Sequence, residues 1–138
     1  MYQKTCLSLE DAQRILAAIQ TELETSGRGA AIAIADEHGE LIAFARTEGC
    51  PLPSITIAIN KAFTAARERK PSRALGEASR AENFPLSNFG DPRYVGWGGG
   101  VPIQHDGRVI GGVGVSGLPE QEDMVLAQLG IHALERAP

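Results

Sequence analysis

The feature that most constrains the fold of this chain is a glycine-rich stretch from Gly96 to Gly117. Within it, Asp106-Gly107 predicts a tight hairpin turn, because such turns need positive φ and glycine adopts it at little cost. Side chains in the strand that follows alternate between faces, so valines line one face while Gly112, Gly114 and Ser116 lie on the other. Backbone left bare in this way indicates close approach by a helix, a ligand or another chain.

Length and composition narrow the class of protein. The 138 residues predict one domain over 1–138, and 43% hydrophobic with 22% charged residues is typical of a globular chain. The formal net charge of -4 argues against nucleic-acid binding. No apolar stretch approaches the roughly 20 residues of a membrane span. Cys6 and Cys50 are too few for a disulfide framework, so we expect reduced thiols and a cytoplasmic location.

Periodicity and turn signals predict the order of the elements. Helical spacing of apolar residues predicts helices near 9–25, 54–69 and 119–135, and a short helix could form at 72–80. Strands are predicted near 30–35, 40–46, 100–104 and 108–116. The first two strands lack polar alternation, so both of their faces are expected to be covered.

A long irregular segment, 83–95, carries aromatic side chains into the glycine-rich stretch. Its Arg93 and Tyr94, followed by Trp97, supply a charge and two amphipathic rings, which is typical either of a binding site or of a loop folded over the core edge. Lys61 is interpreted either as a solvated lysine or as the cation of a pocket beside its helix. Asp123 lies in an acidic cluster that caps the last helix, although one of these carboxylates could act as a base.

The chain then resembles a known family in five successive segments. These are Asp36 to Arg46, Ile57 to Ala65 around Lys61-Ala62-Phe63-Thr64-Ala65, Gly99 to Ile103, Asp106 to Gly117 ending in Gly-Val-Ser-Gly, and Glu122-Asp123. In this order they are similar to the GlcG/HbpS family, which includes the C-terminal domain of PduO-type proteins.

The resemblance implies an α+β fold in which a single antiparallel sheet is flanked by helices, as in profilin-like proteins. It also implies homo-oligomers. Some members of the family bind haem or are linked to haem degradation, so haem is the expected cofactor, ahead of a corrinoid. Others have no settled activity, and the family therefore indicates the fold more strongly than the function.

The residues themselves give haem binding mixed support. The three histidines, His38, His105 and His132, are predicted at two turn tips and on the terminal helix, so no buried proximal histidine is evident. Tyr94, Met124 or Cys50 could ligate iron, and nothing in the sequence selects among them.

Three functions remain open at this point. The first is a tetrapyrrole-binding protein with a role in haem handling. The second is a small catabolic enzyme acting on an oxo- or hydroxy-carboxylic acid, with Lys61 or Arg93 binding the carboxylate and Asp123 moving a proton. The third is an accessory oligomeric protein without catalysis.

The sequence predicts one pocket against the glycine-rich hairpin. Its lining is expected to consist of Lys61, Arg93, Tyr94, Trp97 and Asp123, with backbone N–H groups from Gly99 and Gly100. Two cations would suit an anionic small molecule or the propionates of haem. A nearby Lys61 would lower the pKa of Asp123, so anion binding is favoured over a role for Asp123 as a base.

Overall fold

The computed structural model describes residues 1–136 and contains a four-stranded sheet with helices on both faces. The strands are β1 (Ala31–Asp36), β2 (Leu41–Arg46), β3 (Gly100–His105) and β4 (Arg108–Ser116). The helices are α1 (Leu9–Ser26), α2 (Ser54–Glu68), α3 (Ser72–Glu82) and α4 (Glu120–Glu135), with a short 3-10 turn at Leu86–Phe89. The strand order is β2-β1-β4-β3, and every neighbouring pair is antiparallel. The predicted α+β fold with one antiparallel sheet is confirmed.

The ends of these elements follow local chemistry. Ser8 caps α1 by accepting the Asp11 N–H at 3.0 Å, and Gly27 ends the helix in the left-handed region at φ 67°. At the hairpin, Asp106 and Gly107 have φ of 49° and 76°, which is the conformation that the predicted turn requires. β2 begins one residue later than predicted, because the Glu40 N–H is held by the Asp36 carboxylate within the preceding turn.

One face of the sheet carries the main hydrophobic core beneath α1 and α4. Apolar residues recur along α1 at helical spacing and meet the branched side chains that β1 and β4 direct to this face. The core of this layer includes Ile15, Ile19, Leu23, Ile32, Ile34, Val113, Val115, Leu126 and Ile131.

The other face lies against α2, and glycine makes that contact possible. A Cβ on Gly112 or Gly114 would collide with the carbonyl oxygens of Ala62 and Ala58 in α2. The helix therefore approaches the sheet to backbone contact, next to the small residues Ala31, Ala33 and Ala35 of β1. The sequence left three explanations for the glycine face of β4: a helix, a ligand or another chain. A helix of the same chain covers it, so this face does not contact another subunit.

β2 differs from its prediction. β1 is buried on both faces, but β2 lies at an edge of the sheet with all its residues half-buried or exposed. The expectation that both faces of β2 are covered holds only in part, because α1 and α2 both reach the strand but leave Leu41 and Arg46 exposed and the other residues half-buried.

Candidate functional site

One face of α2 forms the floor of a pocket of about 470 Å³. Ser54, Ile57 and Lys61 follow one another at i, i+3 and i+7, a spacing that aligns side chains on one side of a helix. The end of β4, the following turn and the first turn of α4 close the pocket. These elements contribute Ser116, Gly117, Leu118, Glu120 and Asp123, and Trp97 and Gly98 complete the lining.

A buried ion pair lies at the base of this pocket. The Lys61 Nζ donates to Asp123 Oδ2 at 3.1 Å and to the Val115 carbonyl oxygen at 2.9 Å. Asp123 Oδ1 accepts the Leu118 N–H at 3.2 Å. Both charged side chains are only 3% exposed, so the pair joins α2, β4 and α4 at a point from which water is almost excluded.

Burial and mutual attraction act in opposite directions on this pair. Burial disfavours the charged forms, which lowers the pKa of Lys61 and raises the pKa of Asp123, and attraction between the two groups only partly offsets it. Lys61 does lower the pKa of Asp123, as the sequence predicts, but desolvation is the larger effect and the net shift of that pKa is upward. The pair is thereby shifted toward the uncharged forms that proton transfer requires.

Arg93 lies outside the pocket, and the prediction of a single site is wrong on this point. Its guanidinium contacts Asp91 Oδ2 at 2.9 Å and Glu40 Oε1 at 3.1 Å. It also lies 3.9 Å above the centre of the Phe63 ring. These contacts raise the pKa of Arg93, and they leave its charge compensated within the fold. Arg93 therefore holds the aromatic segment against α2 and the β1–β2 turn.

Tyr94 also lies outside the pocket of Lys61 and Asp123. Its ring stacks on Phe89 at 4.2 Å between centroids and meets the edge of Phe63 at 5.1 Å. It lines a separate groove of about 320 Å³, to which Trp97 contributes as well. The other side chains and backbone of this aromatic groove come from Gly76, Ser79, Arg80, Leu86, Val95 and Gly96. Trp97, which is 62% exposed, thus lies between the pocket and the aromatic groove.

Gly99 and Gly100 pack against Lys61 and do not line the pocket. The Gly100 N–H donates to Ser72 Oγ at 2.9 Å, so it is not free for a ligand as predicted. A Cβ on Gly99, whose φ is 127°, would lie 2.8 Å from the Lys61 Nζ. Gly98 is the glycine that lines the pocket, and its N–H is taken by the Glu120 carboxylate.

Sequence reasoning missed three polar residues of the pocket, Ser54, Ser116 and Glu120. Ser54 is the first residue of α2, and Glu120 lies in the acidic first turn of α4. The spacing of Ser54 to Lys61 by seven residues on an amphipathic helix was the available signal. No local signal shows that Ser116 faces the same space, since that depends on how β4 lies against α2.

The three histidines, whose side chains could ligate haem iron, lie apart from one another on the surface. His38, His105 and His132 are all exposed, and none lines the pocket or the aromatic groove. Within residues 1–136, no three His, Cys, Asp or Glu side chains form a group that could hold a metal ion. Over the same range, none of the helices has the length and apolar character needed to cross a bilayer.

A family model described as haem degrading protein HbpS-like matches residues 7–132, and the chain belongs to this HbpS-like family. Protein GlcG of Escherichia coli strain K12 is 35% identical over 116 residues, which are 84% of this chain and 85% of that protein. The resemblance to the GlcG/HbpS family is confirmed.

Two solved structures extend the likeness to three dimensions. A double mutant of HbpS from Streptomyces reticuli has a TM-score of 0.87 at 28% identity, covering 97% of this chain and 90% of that one. A crystal structure of a PduOC–haem complex has a TM-score of 0.86 at 27% identity, covering 94% of this chain and 95% of that one.

Proposed function

We propose that this protein binds a haem-type tetrapyrrole. The observation that carries the proposal is the likeness, over 94% of this chain, to PduOC, which was crystallised as a complex with haem. The HbpS-like family description, which names haem degradation, points to the same class of ligand. Haem iron, when bound, supplies redox and oxygen chemistry, and the protein contributes binding and orientation.

The aromatic groove fits a tetrapyrrole better than the pocket of Lys61 and Asp123 does. Trp97 and Leu86 offer apolar surface to a flat macrocycle, and Arg80 offers a cation to a propionate. Arg80 forms no ion pair with other residues of 1–136. The pocket has two carboxylates, Glu120 and Asp123, against one lysine, which disfavours a dianionic ligand.

Tyr94 is the residue of the aromatic groove whose side chain can ligate iron. A phenolate is one of the groups that hold haem iron in proteins. The groove volume of about 320 Å³ holds only part of a macrocycle, so the remainder would extend beyond it.

The proposal is tested by titrating the protein with haem and following its visible absorbance. Trp97→Ala should weaken binding about five-fold, because loss of an aromatic contact costs about 1 kcal/mol. Tyr2→Ala is the matched control, since Tyr2 is 79% exposed and lies outside the groove. Unchanged affinity in Trp97→Ala, or equal loss in both variants, would place the ligand elsewhere. No saturable change with haem or hydroxocobalamin would refute tetrapyrrole binding and favour an accessory role.

A second pair of variants tests the iron ligand. Tyr94→Phe keeps the ring and removes the phenolic oxygen, so the haem spectrum should change while most of the affinity remains. A variant with all three histidines replaced by alanine should keep the wild-type spectrum. The reverse pattern would assign the iron to a surface histidine.

A further inference from the structure

The pocket at Lys61 holds chemistry that tetrapyrrole binding does not use. A lysine and an aspartate, each 3% exposed, line a space of about 470 Å³ that is large enough for a small molecule. A desolvated lysine amine is one of the protein groups that form Schiff bases with carbonyl compounds. We propose that this pocket binds a small uncharged hydroxyaldehyde or hydroxyketone, and that Lys61 forms a reversible imine with its carbonyl carbon.

The hydrogen bonds of Lys61 leave room for this reaction. An uncharged amine has two N–H bonds, and the two acceptors within reach, Val115 O and Asp123 Oδ2, match that number. The nitrogen lone pair then remains for a carbonyl carbon in the pocket. The lowered pKa of Lys61 acts in the same direction, because it raises the fraction of the reactive amine at neutral pH.

Asp123 is placed to move the protons. When the amine adds to the carbonyl, a C–N bond forms and the carbonyl π bond breaks. Asp123 takes a proton from the nitrogen and passes it to the oxygen, giving a carbinolamine. A second transfer of the same kind releases water, so the amine and the aldehyde give one imine and one water. Its Oδ2 lies 3.1 Å from the reacting nitrogen, which is within reach of a direct proton transfer.

Two further side chains indicate what the rest of the ligand carries. Ser54 and Ser116 line the pocket and are 6% and 5% exposed. Within residues 1–136 no fully buried side-chain polar atom lacks a hydrogen-bond partner, so neither hydroxyl requires a ligand. A serine hydroxyl both donates and accepts hydrogen bonds, so each of these two, where it opens into the pocket, matches a hydroxyl group of a ligand.

The charges of the pocket select an uncharged ligand. The Glu120 carboxylate lines it, and the Lys61–Asp123 pair carries no net positive charge whether its proton lies on the amine or on the carboxyl group. A carboxylate would be repelled by this acidic surrounding, whereas an uncharged hydroxyaldehyde would not.

The test is reductive trapping with a matched pair of two-carbon aldehydes. Glycolaldehyde carries an uncharged hydroxymethyl group where glyoxylate carries a carboxylate. The wild-type chain is incubated with each compound and cyanoborohydride, and the labelled residue is located by peptide mass spectrometry. Lys4 and Lys70, the other lysines of the chain, are internal controls. Lys70 is the more demanding control, since the contact of Lys4 with Glu37 raises the pKa of Lys4 and leaves less of its reactive amine.

We expect glycolaldehyde to label Lys61 about ten-fold faster than Lys4 or Lys70, because the pocket holds the aldehyde beside the amine of Lys61. Glyoxylate should label Lys61 more slowly than glycolaldehyde. Equal labelling of the three lysines, or no label on Lys61, would contradict the proposal that Lys61 forms an imine in the pocket. If glyoxylate labels Lys61 as fast as glycolaldehyde or faster, the proposal that the pocket selects an uncharged ligand is wrong.

Variants separate the roles within the pocket. Lys61→Arg keeps a cation without a nucleophilic amine and should lose the label at position 61. Asp123→Asn should slow trapping and flatten the pH profile of the trapping rate. An unchanged rate would show that Asp123 does not transfer the proton.

Ser116→Ala should slow the trapping of glycolaldehyde but not that of acetaldehyde, which lacks the hydroxyl. Equal slowing of both would contradict the assigned role of Ser116. Peptide mapping of the labelled wild-type chain tests imine formation at Lys61 even if a variant fails to fold.

Discussion

Lys61 and Asp123 lie 62 positions apart in the chain and meet because α2 packs on β4 and α4 begins shortly after β4 ends. Removing two charges from water costs several kcal/mol per ion, and their attraction recovers this only with good geometry and further hydrogen bonds. Val115 O and the Leu118 N–H supply those bonds. Such a pair is therefore not expected to add much to the stability of the fold, and its presence inside a pocket is better explained by a role in function.

Single and double replacements of the pair should differ sharply. Asp123→Ala leaves Lys61 buried without a partner and should lower the free energy of unfolding by about 3–5 kcal/mol. The double variant Lys61→Met with Asp123→Leu removes both charges and should be neutral or more stable by about 1–4 kcal/mol. Urea unfolding followed by circular dichroism measures both.

A surface pair provides the control for this comparison. Glu10→Ala breaks the Arg14–Glu10 pair of α1, whose side chains are 43% and 76% exposed. Its loss should cost less than about 1 kcal/mol, as is usual for exposed pairs. A double variant less stable than Asp123→Ala would contradict the view that the buried charges are costly.

At the scale of elements, the contact of α2 with β4 sets the position of the pocket. Gly114 pairs with Ala33 on one side and Gly100 on the other, so the surface under α2 is made of small residues across three strands. This surface lets α2 lie close enough for Lys61 to reach the Val115 carbonyl. The depth of the pocket thus depends on residues that do not line it.

Gly114→Ala should destabilise the protein by about 3 kcal/mol or more, because it overpacks a backbone contact that cannot adjust as a side chain would. Its Cβ would meet the Ala58 carbonyl and would lie 2.6 Å from the Ala62 nitrogen. Thermal unfolding measures the loss. Gly107→Asn is the control, since Gly107 has open space around it and asparagine tolerates its φ of 76°. A melting temperature of Gly114→Ala equal to that of the control would show that α2 does not pack as described.

The elements were predictable because their signals are local. The Asp106-Gly107 turn, the Ser8 cap and the alternation of valine with glycine in β4 all act within a few residues. The outer position of β2 was not predictable in this way, because an apolar strand has the same pattern at an edge as in the centre of a sheet. Neighbouring strands, which are distant in sequence, decide the difference.

At the scale of the whole molecule, the predicted site divides into two. The structure brings Lys61, Trp97 and Asp123 together around one pocket, and their role in binding a ligand stays a prediction. Arg93 was assigned to the ligand although Asp91, two positions away, already pairs with it. Glu40 lies 53 positions from Arg93 in the sequence, so its contact with Arg93 follows only from the assembled fold.

The outer surface beside β2 suggests where a second copy would bind. Phe44, Cys50 and Ile59 pack on the alanine cluster of β1 and α2 but are only half-buried. β2 also presents an unpaired strand edge, which proteins usually cover or protect with charge. The predicted homo-oligomer would cover this patch through a self-complementary two-fold contact.

We expect size-exclusion chromatography with light scattering to give a mass above that of one chain at micromolar concentration. Ile59→Glu places a carboxylate in the apolar patch, where its burial against a second copy is costly, and should shift the mass to that of a monomer. Val125→Glu makes the same replacement on α4, where Val125 is 60% exposed and outside the patch, and should leave the mass unchanged. A wild-type monomer would refute the oligomer, and dissociation by Val125→Glu alone would move the interface from β2 and α2 to α4.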